Sequence, residues 1–492
     1  MNRNMISLGA AVAALVVLTG VASLTGGGSD AAPAGAAKRL PVQRSTVLCP
    51  APSSSEFAST TYTSFTPQGP AGTGSARLVP AGAGKGEPAG NGKGKPVAPL
   101  KAAGKPVTYA TDKPGAPALI GTADGSLAPG WTVQQTTLVD SGNGHGLLGT
   151  SCVTPDSEFW FPGASTGTGR QDYLHLVNPD EAPAVVDIEL YGKDGQLKVS
   201  TGDGVTVPGS SAEPVLLSTL VGDKAPDLTV HVVARNGRVG AAVQATDAKT
   251  GADWLPPAAE PATSLVLPGI PADATDVRLI TYATGSDDAD LTFKLATSTG
   301  PITPAGHETL HVKAGMTTAV DLGDLTKGDP GSLIIGSSDA HTPMPVVAAV
   351  RVTRGRGAKR EMAFLPATAR IEERATVADN RVKASTLSLT ATGQDAQVKI
   401  TSSEGSSGGT ASSATVTVKA GTTLAVAPPR PVGGKGMYAV TVEPVSGGPV
   451  HASRTLSLPQ GGVPLFTIQP MPDDRGTVAV PQAEADLRIL NR

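Results

Sequence analysis

The residues with the most chemistry in their spacing are His307-Glu308-Thr309-Leu310-His311, which fit the H-E-x-x-H pattern of zinc metalloproteases. That chemistry puts both imidazoles on one helical face as metal ligands, uses the glutamate as general base and needs a third ligand close by. Two sister segments carry Thr206 and Thr417 where His311 stands, in text that runs on into Val312-Lys313-Ala314-Gly315. The β-branched Thr309 and the preceding Pro304-Ala305-Gly306 give no helical support. A surface strand is expected, with no metal ligands. Gly163-Ala164-Ser165-Thr166-Gly167 and Gly405-Ser406-Ser407-Gly408-Gly409 fit G-x-S-x-G. A nucleophile elbow needs a strand before it and a helix after it. The first is followed by a polar turn and a strand, and the second lies in a Ser/Gly loop, so both read as turns. Stretches starting at Gly84 and Gly90 lack the Ser or Thr after Lys that a phosphate loop requires. No catalytic or cofactor-binding residue is therefore assigned, and no enzyme is expected.

Trp160 and Trp254 lie at strand ends beside proline, and Phe364-Leu365-Pro366 answers Trp254-Leu255-Pro256, which suits packing at domain junctions better than ligand stacking. Arg351, Arg354, Arg356, Lys359 and Arg360 form a basic run, read as a solvated hairpin edge that discourages edge pairing.

The amino terminus carries Arg3 and then an uncharged apolar stretch over residues 6–24, with Ala32-Pro33-Ala34 as a small-x-small cleavage site. It reads as a signal peptide or a retained membrane anchor over residues 1–44, and places the protein outside the cell or in its envelope. Export gives the cysteines a meaning. Only Cys49 and Cys152 exist, and in an oxidising compartment they are expected to pair, the alternative being two buried thiols. Closing a loop of roughly 100 residues contributes on the order of 4–5 kcal/mol in the chain-entropy model.

The elements that hold these residues repeat. Val207, Val312 and Val418 each end a short strand just before a Gly turn, 105 and 106 residues apart. Upstream, Val186-Ile188-Leu190, Leu291-Phe293-Leu295 and Ala396-Val398-Ile400 alternate with polar residues, the period of a strand with one buried face. Segments 228–246, 332–353 and 437–456 each read as strand, turn, strand, a hairpin, and 118–137 has the same form, with Val133-Gln134 answering Val243-Gln244. Phe161-Pro162-Gly163 recurs as Leu267-Pro268-Gly269.

Four units follow: 45–157, 158–262, 263–370 and 371–492, the last with an extra C-terminal strand. Residues 66–106 of the first, low in apolar content and carrying Lys85, Lys93, Lys95, Lys101 and Lys105, read as a mobile Gly/Pro/Lys-rich insertion. Gly and Pro number 60 and 42 in 492 residues, which favours short strands and turns over helices. About six or seven strands per unit, with turns every 8 to 12 residues, suggest tandem immunoglobulin-like β-sandwiches in an all-β chain. The alternative is a β-propeller-like ring closed by Asp486-Leu487-Arg488-Ile489-Leu490. Aromatic residues are only 3% of the chain, so the cores are aliphatic, and the sugar platforms that exposed aromatic faces provide are scarce. A formal charge of −3 gives no reason to expect nucleic acid or anionic membrane as a partner.

Segments 45–65, 146–163 and 173–195, marked by Cys49-Pro50 and by Cys152 with Trp160-Phe161, resemble a family of secreted actinobacterial proteins, domain of unknown function family 5719. The resemblance implies an envelope or extracellular location and supplies no catalytic residues. The function expected is a non-catalytic scaffold or interaction protein that meets another envelope protein or a cell-wall component. Two alternatives stand beside it: an array of carbohydrate-binding modules, and a zinc or serine hydrolase.

Overall fold

Strands that alternate apolar and polar residues have one dry face each, and two such sheets satisfy one another by stacking. The computed structural model describes residues 38–83, 95–142, 144–339 and 341–480, whose regular secondary structure is all β-strand apart from one short 3-10 turn at Leu217–Thr219. Residues 6–24, Ala32-Pro33-Ala34 and 486–490 lie outside the described residues. The chain divides into two units, one of residues 1–41 with 477–492 and one of residues 42–476. In the first, Lys38–Pro41 and Thr477–Val480 form an antiparallel pair, with Lys38 opposite Val480.

The second unit holds four sandwiches in chain order, each of two antiparallel sheets. If the main strands of a sandwich are numbered in chain order, one sheet runs first, sixth, third, fourth and the other fifth, second, seventh, eighth, in all four. In the last sandwich these are Ala375–Asn380, Tyr438–Gly447, Ala396–Gly405 and Ser412–Val418 against Thr423–Val426, Ser385–Ala391, Val450–Ser457 and Phe466–Pro470. The all-β sandwich expectation holds, with eight main strands per unit. Pairing of second with fifth and of third with sixth strands is that of an immunoglobulin sandwich, while the first, seventh and eighth strands take their own places. Val207, Val312 and Val418 each end a fourth strand and are fully buried.

Two expectations are corrected. The four strand-turn-strand segments are not hairpins. Leu228–Asn236 and Gly240–Asp247 lie in different sheets of one sandwich, and the same holds for Leu119–Gly125 with Thr132–Val139, Gly331–Ser337 with Val346–Arg356, and Tyr438–Gly447 with Val450–Ser457. The turn carries the chain from one sheet over to the other. Alternation reports that two strands face a common core, and it is silent on whether they lie side by side or across from each other. The second correction concerns 66–106. This stretch supplies the third and fourth strands of the first sandwich, Gly74–Pro80 and Val97–Leu100. Ala76, Leu78, Ala98 and Leu100 point into its core, and neighbouring Gly and Pro hid so sparse an apolar pattern. Gly82–Ala83 goes further and pairs, parallel, with Ser211–Leu216 of the second sandwich. Residues 84–94, including Lys85 and Lys93, lie outside the described residues.

The repeated Pro-Gly has a local purpose. Register shifts fall at Pro162/Ala164 and Leu267/Ile270, where Gly163 and Gly269 take φ of +111° and +92°. These are β-bulges, and glycine reaches such backbone angles without a Cβ clash.

The four sandwiches close on themselves. Between the second and third, Thr317 Oγ1 donates to the Tyr191 carbonyl at 2.7 Å. Between the third and fourth, Thr423 Oγ1 donates to the Ala296 carbonyl at 2.7 Å. Between the fourth and first, the Asp379 amide donates to Gln134 Oε1 at 2.8 Å. Between first and second, the Gly149 amide donates to Asp253 Oδ1 at 2.9 Å. The eighth strands, Gly146–Ser151, Gly251–Leu255, Lys359–Pro366 and Phe466–Pro470, meet at the centre. Both diagonals are bridged there: the Leu147 amide to Glu361 Oε1 at 3.1 Å, and Thr467 Oγ1 to Asp253 Oδ1 at 3.1 Å. These contacts close a ring of two-sheet sandwiches, not of the single-sheet blades of a β-propeller, and residues 486–490, expected to close such a propeller, lie outside the described residues.

Candidate functional site

Each eighth strand ends at the ring axis and passes into a linker, residues 152–157, 256–263, 367–374 and 471–476. The linkers wall a cavity of about 750 Å³ at one end of the axis. Pro256, Pro257, Pro470 and Pro472 stiffen it, and Trp160 forms part of the side. Cys152 opens the first linker and is bonded to Cys49, Cα to Cα 4.4 Å, so the disulfide ties the first strand of the ring to the cavity rim.

Glu158 is the best-positioned carboxylate of the cavity. Its Oε1 accepts from Trp160 Nε1 at 3.1 Å and pairs with His231 Nε2 at 2.9 Å, while His231 Nδ1 meets Glu189 Oε2 at 2.8 Å. The His231 ring stacks on Trp160 with centroids 3.6 Å apart. Glu260, on the second linker, has no hydrogen bond or ion pair among the described residues. Burial and then the neighbouring Glu158 and Asp156 push its carboxyl above the usual range, against Arg475. The opposite wall is self-satisfied. Asp474 pairs with Arg374 at 2.5 Å, and Asp473 accepts amides of Glu372, Glu373, Arg374 and Arg475.

Gln469 lines the cavity and joins it to a dry polar cluster on the axis. Gln134 Nε2 donates to Gln469 Oε1 at 3.3 Å, and Gln134 Oε1 accepts from Arg454 Nη2 at 2.9 Å. Arg454 is fully buried, and desolvation lowers its guanidinium to about 10. Glu361 is pushed up to about 9 by burial, with Asp253 adding to the rise, and Asp253 is itself raised well above its ordinary value by burial. Asp253 Oδ2, Glu361 Oε2, Arg454 Nε and Nη1, and Gln469 Nε2 make no hydrogen bond among the described residues. Burial without full pairing favours the neutral form of these carboxyls.

The motifs singled out in the sequence lie elsewhere. His311 stands on Thr309–Val312, opposite Asp290, just as Thr206 stands opposite Val185 and Thr417 opposite Gln397. Its ring binds Asp290 at 2.8 Å and Asp288 at 3.1 Å in the open. His307 precedes the strand, so the two imidazoles do not share a helical face. The Ser165 amide donates to Asp172 Oδ2 at 2.8 Å in the turn after Glu158–Ala164, and the Ser407 amide donates to the Lys435 carbonyl at 3.1 Å in the turn after Ala396–Gly405. Trp131, Trp160 and Trp254 are 4%, 7% and 1% exposed.

The basic run is corrected in part. Arg356 and Lys359 are exposed, but Arg354 lies over the Phe466 ring at 4.7 Å and reaches Asp273 at 2.7 Å. Arg351 is held below its ordinary value by desolvation, then by Arg170. These two arginines pack inside sandwich junctions instead of shielding an edge. Asp156, Glu158, Glu260, Asp253, Glu361 and Arg454 were not singled out in the sequence. Gln134 entered the sequence reading only as the repeat match of Gln244, and of that pair Gln134 reaches the axial cluster while Gln244 bonds His175.

Residues 107–429 match the profile of a family described as Family of unknown function (DUF5719), and the chain belongs to that family. No curated protein matches it.

Proposed function

We propose that this member of a family without assigned function is a non-catalytic exported protein that works in the envelope as a closed docking scaffold. Its partner is another exported protein or a cell-wall component, and the chain is delivered by the segment over 6–24, cleaved or kept as an anchor. The observation that supports the reading is ring closure: every sandwich junction, fourth to first included, is sealed by buried contacts. A frame fixed in this way holds its surface in one arrangement, which serves recognition. The Cys49–Cys152 disulfide fits an oxidising compartment. Among the described residues no helix is long and apolar enough to cross a membrane.

Affinity capture from a gently solubilised envelope fraction tests the reading. A specific partner or wall component is expected, and recovery of neither would count against it. The carbohydrate-module reading is weaker, because all three tryptophans are buried. The hydrolase reading is tested by serine- and metal-directed activity probes, and labelling of the purified chain by either would revive it.

A further inference from the structure

Each fourth strand ends its sheet, and among the described residues no strand pairs with its outer side. An open edge of this kind offers a row of backbone amides and carbonyls to any strand that arrives, and three of the four are guarded against it. Val97–Leu100 contains Pro99 and stands between Lys95 and Lys101. Val205–Val207 is three residues long and runs into Pro208. Thr309–Val312 holds His311 between Asp288 and Asp290 and is followed by Lys313. The last, Ser412–Val418, has none of these devices. It is seven residues long, without proline or charge, and its register against Ala396–Gly405 runs from Ser412 to Val418 without a shift. Lys419, next in sequence, is already paired with Asp395 at 3.0 Å.

We propose that Ser412–Val418 is a dimerisation edge, at which two copies of this chain pair antiparallel about a two-fold axis at Thr415. The limits of the open stretch fix that register. The Thr410–Val432 bridge ends it on one side and the turn at Gly421, with φ of +68°, on the other. A self-pairing that uses all seven residues therefore sets Thr415 opposite Thr415, Ala414 opposite Val416, Ser413 opposite Thr417 and Ser412 opposite Val418. The side chains suit this arrangement. Ala414 and Val416 lie opposite the buried Ile400 and Val398, on the core side of the sheet, yet Ala414 is exposed and Val416 half-buried. A second copy covers each Ala414 with the mate's Val416, and brings β-branched threonines together on the other face. The strand carries no charge, so the two-fold places no like charges in contact. An isologous pairing also closes at two copies, which leaves neither edge open to further strands. The dimer neither requires nor excludes an envelope partner.

Gel filtration with light scattering on the full chain tests the dimer, and substitutions at Thr415 locate it. The parent is expected to run as a dimer that dissociates on dilution. Thr415→Lys, at an exposed position, should raise the dissociation constant at least about tenfold, because two ammonium groups meet at the axis, and should keep the parent Tm. Thr415→Glu should act the same way alone, and an equimolar mixture of the two variants should recover the dimer. Thr415→Cys should cross-link two chains under mild oxidation, whereas Thr206→Cys, on the guarded edge of the second sandwich, should not. If Thr415→Lys lowers the Tm, the two cysteine variants decide, and equal behaviour of both would overturn the proposal. A monomeric parent, association that survives Thr415→Lys, or Lys and Glu variants that stay apart when mixed would overturn it as well. So would a monomeric parent whose captured envelope partner is lost with Thr415→Lys, since the edge would then belong to that partner's strand.

Discussion

The peripheral fourth strands and the axial eighth strands of the same sandwiches make opposite use of charge. At the rim of the third sandwich, His311 sits between Asp288 and Asp290 in open solvent, where pairing is weak and screened. At the axis, Asp253, Glu361 and Arg454 are dry and short of partners. The first group matches a catalytic motif and lacks the geometry for it, while the second matches no motif and governs how the ring holds together. Burial, more than residue type, decides which polar groups matter here.

The largest effect should come from the axis itself. Trp254→Ala, in an eighth strand and 1% exposed, should cost about 3–5 kcal/mol in denaturant unfolding, and a much smaller loss would mean the axial strands are loosely packed. Next, Cys49→Ser combined with Cys152→Ser should lower stability by about 2–4 kcal/mol, with peptide mapping of the parent giving the cross-linked pair only without reductant. The third test is pH. Glu361 is raised from 4.5 to about 9, so its favourable contribution is complete below its unfolded value and is lost as pH climbs toward 9. The parent should therefore weaken between about pH 5 and 9, and Glu361→Gln, which keeps the carbonyl acceptor for the Leu147 amide, should flatten that slope. An unchanged slope would place the titration elsewhere. The smallest effect belongs to the periphery: His307→Ala and His311→Ala should leave Tm and metal content unchanged, and stoichiometric zinc lost with either would reverse the comparison.

Much of the frame was legible because burial repeats along the chain. The valines at 207, 312 and 418 mark equivalent inward positions, and the alternation at 186–190, 291–295 and 396–400 marks the third strands beside them. Sheet membership was not legible, since a strand carries the same apolar face whether its successor lies beside it or across the core. The third and fourth strands of the first sandwich were missed because Ala76 and Ala98 give little hydrophobic signal amid Gly and Pro. The cavity was illegible for a different reason. Its parts come from four linkers, and the cluster beneath joins residues as far apart as Gln134 and Arg454, 320 positions away. Only closure of the ring makes them neighbours.

The antiparallel ladder of Lys38–Pro41 with Thr477–Val480 bears on mechanics. It sets the two ends of the described residues side by side at about the 5 Å spacing of adjacent strands. Four sandwiches strung end to end would have bridged a distance that grew with each added repeat. A pull applied through both flanks would part those few rungs one after another, starting at Lys38 and Val480.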